Sequence, residues 1–311
     1  MTGFIRRVLL ALVTGYILFF FSELVFWSFW QPQNSFSGYI ITWFVYSIIA
    51  YIFLLIVNEF KVRKPHAVFL AGAVFGWLVE GMFVMTFFGI DGLPLVVTVS
   101  WTGLAWHALI SVLIGWYYTQ RFLAERKVFN LLLFTAGLGF FWGFWANTWT
   151  LESPPIFTSL QQFALFAFVA TCLYILCHIA YSYLASFSYQ PMKIEKIIFA
   201  FAVIIFFVFK VLPAQAILAP AVLLPLFAII FFSLNKNKFH EIEAGVIITA
   251  SRVRFSRYFI LLVIPLVATI TYKFFYNLAP VVFPNFIILG ISSSLGYVLL
   301  FYSVFRMFYP K

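Results

Sequence analysis

The chain has few charged residues. They make up 9% of its 311 residues, whereas soluble domains carry about 25%. Hydrophobic residues make up 65%, and the mean hydropathy is +1.06. Apolar runs of about 20 residues, the length that a helix needs to cross a bilayer, recur along the whole chain. This composition excludes a large soluble protein and predicts an all-α integral membrane protein.

Cysteine and the common catalytic motifs are also scarce. The two cysteines, Cys172 and Cys177, lie within one apolar run at a spacing that fits neither a metal site nor a disulfide framework. The sequence contains no P-loop, no glycine-rich nucleotide fingerprint, no Gly-x-Ser-x-Gly and no His-Glu-x-x-His. We therefore predict no cofactor and no metal, and the sequence leaves open whether the protein is an enzyme.

About ten membrane-spanning helices are predicted from the apolar runs. The seventh run is slightly short for a bilayer at 1.5 Å per residue, and only Pro213 separates it from the eighth. The region 197–233 therefore admits two spans, one bent span or a re-entrant segment. The predicted spans are 8–30, 37–58, 66–88, 94–118, 128–149, 160–186, 197–212, 214–233, 258–277 and 283–305.

The basic residues predict the orientation. The formal net charge is +10, and all 19 lysines and arginines except Lys210 and Lys273 fall in the termini or in alternate links between spans. Under the positive-inside rule these links face the cytoplasm. The pattern predicts a protein of the plasma (inner) membrane with both termini cytoplasmic. It also predicts that the basic residues contact anionic lipid headgroups, and not nucleic acid.

Tryptophan divides the chain into two regions. All ten tryptophans lie between Trp27 and Trp149, which indicates a six-span functional core over 1–190. Region 191–311 is predicted to hold four further spans and a short cytoplasmic loop at 234–257, a candidate docking segment for a protein partner. A faint repeat in the first six spans suggests three tandem helical hairpins, although hairpins of similar length produce such spacing without duplication.

Two acids inside the apolar runs are the main candidates for function. Glu23 and Glu80 are the only carboxylates within predicted spans, and a charged group in a bilayer is costly unless it faces a partner or a wet cavity. His107 lies near the middle of the fourth span and is able to carry protons near neutral pH. We expect these residues to bind a cation or to exchange a proton. The alternative is that each acid is protonated or hydrogen-bonded for structural reasons alone.

Four tryptophans lie deeper than an interfacial aromatic belt requires. With Asn147 they predict an outward-facing pocket lined by aromatic and acidic groups. The deep tryptophans are Trp77, Trp106, Trp142 and Trp145.

Three functions fit these features. The first is a transporter or channel-like protein for a small solute or cation. The second is a non-catalytic membrane subunit or assembly factor that works by helix packing. The third is an intramembrane enzyme that acts on a lipid or isoprenoid, with a carboxylate as general acid or base.

Overall fold

A computed structural model describes residues 3–30, 35–90, 92–125, 127–151, 156–185, 189–240, 253–276 and 285–309. These residues are overwhelmingly helical, and within them the structure contains no strand. Ten helices are long and apolar enough to cross a membrane, which confirms the predicted fold class. They are α1 (Gly3–Val25), α2 (Phe36–Glu59), α3 (Pro65–Phe83), α4 (Leu95–Ala124), α5 (Val128–Thr150), α6 (Leu160–Ala185), α7 (Lys193–Ala214), α8 (Ala219–Lys236), α9 (Phe255–Tyr276) and α10 (Ile287–Phe308).

The region around Pro213 forms two antiparallel helices. The first turn of α7 binds the N-terminal end of α1 through an ion pair between Glu195 and Arg7. At its other end Lys210 Nζ donates to the carbonyl of Phe83 at the end of α3. α8 then runs in the opposite direction to α7. The evidence is that its Phe231 ring packs 5.9 Å from the ring of Phe60, just beyond the end of α2. The prediction of a short seventh span was wrong, since α7 begins at Lys193 and has 22 residues.

The N-terminal end of α1 and the C-terminal end of α10 lie at the same face of the bundle. Near its C-terminal end α10 packs Phe308 against Phe232 of α8, at a ring separation of 5.8 Å. Phe232 belongs to the same end of α8 that reaches Phe60. We call this face, which also carries Arg7, the basic face, and we call the opposite face, near Phe83, the far face.

Three helices form the centre. The apolar stretches of α3, α4 and α1 are 89%, 78% and 72% buried, whereas that of α7 is only 6% buried. α3 packs along α4, and α1 packs against α2, α6 and α4. The helices of region 191–311 pack around this centre, with α9 against α5 and α6, and α10 against α3 and α4.

The three central helices share a second feature, which is π-helical winding. α1 has this wide winding over Phe20–Val25, α3 over Val79–Phe83 and α4 over Trp101–Tyr118. π-helical turns are rare and occur frequently at functional sites. α7 and α8 also have one π-helical turn each, over Phe207–Val211 and Ala219–Leu223, but the 18-residue segment of α4 is the longest. The centre of the bundle is therefore the first place to look for function.

Glycines bring α3 and α4 into contact. A Cβ on Gly76 would lie 2.3 Å from the carbonyl oxygen of Gly103 and 2.8 Å from His107 Cβ. One turn earlier, a Cβ on Gly72 would lie 3.0 Å from the backbone of Ala108. Because residues four apart share a helix face, this close contact directs the next residue on the face of α3, Glu80, toward α4.

The proposed repeat remains a prediction. The repeat would align Gly72 with Gly137, 65 residues later in the sequence. Their surroundings differ: Gly72 is tightly enclosed by α4, whereas a Cβ at Gly137 on α5 would meet nothing within 4 Å. Half of the predicted cytoplasmic loop at 234–257, residues 241–252, lies outside the described residues.

Candidate functional site

Glu80 and His107 meet in the centre of the bundle. Glu80 Oε1 lies 2.6 Å from His107 Nε2, so the two side chains join α3 to α4. Both residues are buried, with exposed fractions of 8% and 2%. The contact offsets the free-energy cost of burying an acid within the membrane, because the carboxyl group has a basic partner.

Two serines extend this contact to α1. His107 Nδ1 lies 2.9 Å from Ser22 Oγ, and Ser22 Oγ donates to Ser111 Oγ at 2.9 Å. Ser111 in turn donates to the carbonyl of Trp106. We call Glu80, His107, Ser22 and Ser111 the relay. Its four members all lie in the π-helical segments of α1, α3 and α4.

The direction of these hydrogen bonds fixes most of the protons. Each hydroxyl has a single hydrogen to donate. Because Ser111 donates to the carbonyl of Trp106 and Ser22 donates to Ser111, this hydrogen-bond pattern assigns the proton between Ser22 and His107 to Nδ1. His107 Nε2 and Glu80 then share one further proton. It lies either on the carboxyl group of Glu80, with a neutral imidazole, or on Nε2, as an ion pair.

Glu23 lies beside the relay with partners of its own. Tyr46 of α2 donates its hydroxyl proton to Glu23 Oε1 at 2.7 Å, and the indole N–H of Trp27 donates to Oε2 at 3.0 Å. The Tyr46 ring lies 6.3 Å from the imidazole of His107, between centroids. Glu23 is half-buried and directly follows Ser22. The structure therefore brings both intramembrane acids and His107 into one cluster.

Glu80 is nearer the far face than the predicted span suggested. The sequence extended this span to residue 88, but α3 ends at Phe83. Met85 then adopts a left-handed conformation with φ of 69°, and a short helical turn begins at Thr86. This turn folds back over the helix end, and the half-buried Thr86 hydroxyl donates to Glu80 Oε2. Thr86 therefore lies on the side of Glu80 toward the far face.

The deep tryptophans support the end of α1. The indole N–H of Trp106 donates to the carbonyl of Phe21 at 2.9 Å. Trp145 donates to the carbonyl of Phe26 at 2.6 Å, and Trp142 donates to the hydroxyl of Ser28 at 3.2 Å. Indole donors from α4 and α5 thus bind polar groups in and just beyond the π-helical segment of α1. Their contacts position the relay helix.

Trp77 and Asn147 have packing contacts of their own. Trp77 is fully buried, donates to the carbonyl of Val99 at 3.0 Å and rests on Gly103. Asn147 Nδ2 donates to the carbonyls of Gly143 and Tyr272, at 2.8 and 3.3 Å. These contacts tie α3 to α4 and α5 to α9. That these residues and the other deep tryptophans line a binding pocket stays a prediction.

Sequence reasoning missed four polar residues. The sequence gives no signal for Ser22 or Tyr46, except that Ser22 directly precedes Glu23. The predicted third span includes Thr86. The predicted spans leave Glu195 in a loop, whereas it lies in the first turn of α7 with an exposed fraction of 4%. Only tertiary packing shows that Ser22, Tyr46 and Thr86 reach the intramembrane acids.

Known proteins provide no guide to this site. Comparison of the chain with protein-family models, curated proteins and solved structures finds no match. The chemistry of the cluster must therefore be argued from its residues. In the described part of the chain, no group of three or more His, Cys, Asp or Glu side chains has the geometry to hold a metal ion.

Proposed function

We propose that this protein is a proton-coupled transporter or channel-like protein for a small solute or cation. The observation that carries the proposal is the 2.6 Å contact between Glu80 and His107, which the serines extend across three central helices. When a carboxyl group and an imidazole share one proton, the two positions of that proton have similar energies if the environment balances the proton affinities of the two groups. A solute that approaches Glu80 is then able to change which group holds the proton.

Glu23 and Tyr46 provide the second element of this proposal. A cation bound near the half-buried Glu23 would favour its carboxylate, and the neighbouring rings of Trp27 and Tyr46 add cation–π attraction. Because Tyr46 also lies beside His107, a charge at Glu23 changes the electrostatic potential at the relay. Solute binding and proton movement are coupled in this way.

The orientation belongs to the same proposal. The basic face carries the N-terminal end of α1 and the C-terminal end of α10, and we place it in the cytoplasm of a cell bounded by a plasma (inner) membrane. Its lysines and arginines then contact anionic headgroups of the inner leaflet. Thr86 and Glu80 lie toward the outside, and the relay is loaded from there.

Solute-evoked currents test the proposal. The purified protein is reconstituted in liposomes, and a panel of cations, amino acids and sugars is applied at several pH values. We expect a pH-dependent current for at least one class of solute, absent in Glu80→Gln and retained in Glu59→Gln. Glu59 is a suitable control because its pair with Lys196 is about one-third exposed at the basic face. A current that persists in Glu80→Gln, or no current with any solute, would overturn the proposal.

An intramembrane enzyme that acts on a lipid is the second candidate. Ser22, His107 and Glu80 form a hydroxyl–imidazole–carboxylate series like that of serine hydrolases. The hydrogen-bond directions make it the weaker candidate, because Nδ1 of His107 donates to Ser22 instead of accepting its proton. Covalent labelling by a fluorophosphonate probe, lost in Ser22→Ala and retained in Ser111→Ala, would favour it. The third function, a subunit that docks a partner through 234–257, stays a prediction.

A further inference from the structure

A second polar cluster lies between α4 and α6, toward the basic face. His178 Nδ1 is 2.5 Å from the amide nitrogen of Gln120. Gln120 lies one turn before the end of α4, and both side chains are buried. The Tyr174 hydroxyl donates to the carbonyl of Gly115 at 2.7 Å and lies 3.0 Å from Thr119 Oγ1. We define the inner cluster as Trp116, Gln120, Thr171, Tyr174, His178 and Tyr181.

Four polar atoms of this cluster have no full hydrogen bond within the described protein. They are Thr171 Oγ1 and His178 Nε2, together with Trp116 Nε1 and Tyr181 Oη, whose side chains interact but lack the geometry of a full hydrogen bond. Their side chains are at most 1% exposed. Each buried polar group without a hydrogen bond costs about 1–3 kcal/mol, so four such groups in one region require another explanation.

The residues that carry the unpartnered atoms lie where α6 and α4 meet. Thr171, Tyr174, His178 and Tyr181 are spaced three or four residues apart on α6 and occupy one face of it. That face meets α4, where the Trp116 ring lies 6.1 Å from the Tyr181 ring. Because the amide of Gln120 donates to Nδ1, His178 carries its proton on Nε2. All four unpartnered atoms belong to hydroxyl or N–H groups, which are the groups that bind internal water.

The ring of Phe21, which directly precedes Ser22 of the relay, packs against the inner cluster. His107, Ser111, Gly115 and Thr119 follow one another at intervals of four along α4. The relay residues of α4 therefore lie on one stripe with Gly115 and Thr119, which contact the Tyr174 hydroxyl of the inner cluster. At Gly115 the ring of Phe21 rests on the backbone, since a Cβ there would lie 2.3 Å from Phe21 Cδ2. Phe21 also packs against Tyr174, with ring centroids 5.7 Å apart.

We propose that the inner cluster holds internal water and that this water, anchored by the Nε2–H group of His178, is the inner proton site of this protein, with Phe21 between it and the relay. Water molecules at Nε2 of His178 and beside Trp116, Thr171 and Tyr181 would satisfy the unpartnered atoms. Displacement of the Phe21 ring from Gly115 would then connect Ser111 to this water. A proton given up by His107 would pass through the serines to this water and leave past Gln120 at the basic face, while His178 keeps its own proton. The water site stands by itself, whereas the transfer step rests on the proposed proton relay.

Hydroxyl-radical labelling of the wild-type protein tests the water site. Brief X-ray irradiation makes radicals from water next to buried side chains, and mass spectrometry locates the oxidised residues. We expect oxidation of Trp116 and Tyr181. Trp77 and Trp142 are matched controls, because they are equally buried but their N–H groups have partners. Labelling of Trp116 and Tyr181 no greater than that of the controls would overturn the water site.

A proton leak tests the path. In proteoliposomes with an imposed membrane potential and an internal pH dye, we expect the internal pH to stay constant with the wild-type protein. With Phe21→Ala we expect it to change, because this variant should conduct protons. Phe53→Ala is the control, since Phe53 of α2 is as buried as Phe21 and its ring lies 5.1 Å from the Trp116 ring, between centroids. The leak should stop when Phe21→Ala is combined with either His178→Leu or Glu80→Gln.

These double variants separate the two proposals. A leak that survives His178→Leu but stops with Glu80→Gln overturns the inner proton site and leaves the relay intact. A leak that survives Glu80→Gln but stops with His178→Leu overturns the relay and supports the inner site. A folded Phe21→Ala variant that stays tight overturns the connection between the clusters. If this variant does not fold, labelling of the wild type still decides the water site.

Discussion

α3 and α7 are both apolar membrane-length helices, yet the bundle holds them in opposite ways. α3 is 89% buried over its apolar stretch and contacts α4 through Gly72 and Gly76. α7 is 6% buried and is attached near its two ends, by Glu195 to Arg7 and by Lys210 to the carbonyl of Phe83. Backbone contact along a helix fixes the position of each side chain closely. The 2.6 Å contact between Glu80 Oε1 and His107 Nε2 requires such precise positions. Attachment at the ends leaves the middle of α7 facing lipid.

The largest effect is expected from filling the contact between α3 and α4. Gly76→Ala places a methyl group 2.3 Å from a backbone oxygen, and we expect it to lower the free energy of unfolding by about 3 kcal/mol, at the upper end of overpacking. It should also separate Glu80 from His107 and abolish solute-evoked current. Denaturant titration in mixed micelles measures the stability.

Gly137→Ala is the matched control for this change. It also adds a methyl group to a helical glycine, but nothing lies within 4 Å of the new carbon. We expect it to be neutral or to gain about 0.5–1 kcal/mol, because alanine loses less backbone entropy than glycine. Equal destabilisation by the two variants would contradict the account of the centre.

A smaller, local effect is expected from releasing α7. Glu195→Ala removes the carboxylate that binds Arg7 and accepts from the Tyr51 hydroxyl at 3.1 Å. When a buried charged group loses such a partner, the free energy of unfolding falls by about 1–3 kcal/mol. We expect faster hydrogen exchange at the start of α7 and unchanged exchange in α3. Glu59→Ala serves as the comparison, since exposed ion pairs contribute only about 0–1 kcal/mol, and faster exchange throughout α3 would count against separate modes of attachment.

The smallest effect is expected from a tryptophan that supports α1. Trp106→Phe keeps most of the ring and removes the N–H that binds the carbonyl of Phe21, at a cost of about 1 kcal/mol. Trp30→Phe is the control, because Trp30 is 48% exposed. Stability is measured as for the glycine variants. If both substitutions proved neutral, the tryptophans would have no supporting role, and the pocket interpretation would gain weight.

The predictable part of this molecule is the part that composition decides. Ten apolar runs correspond to ten spans because a helix that crosses lipid must be apolar over the thickness of the bilayer. Glu23, Glu80 and His107 are recognisable as polar exceptions in those runs. The hydrogen bond from Trp27 to Glu23, at 3.0 Å, joins residues four apart on one helix.

The remainder depends on contacts between distant segments. Ser22 and Tyr46 are ordinary residues until α1 and α2 place them beside His107 and Glu23. The early end of α3 depends on the left-handed turn at Met85, a conformation that this residue type rarely adopts. Glu195 appeared to be a loop residue because its burial arises from Arg7, far away in the sequence.

The most direct test of the central claim is the ¹⁵N solid-state NMR spectrum of His107 in membranes. The chain has four histidines, so His107→Gln assigns the signals of this ring. We predict a protonated Nδ1 and an Nε2 signal that shifts strongly in Glu80→Gln, while the signals of His178 stay in place. An Nε2 signal of His107 that is unchanged by Glu80→Gln would contradict the shared proton.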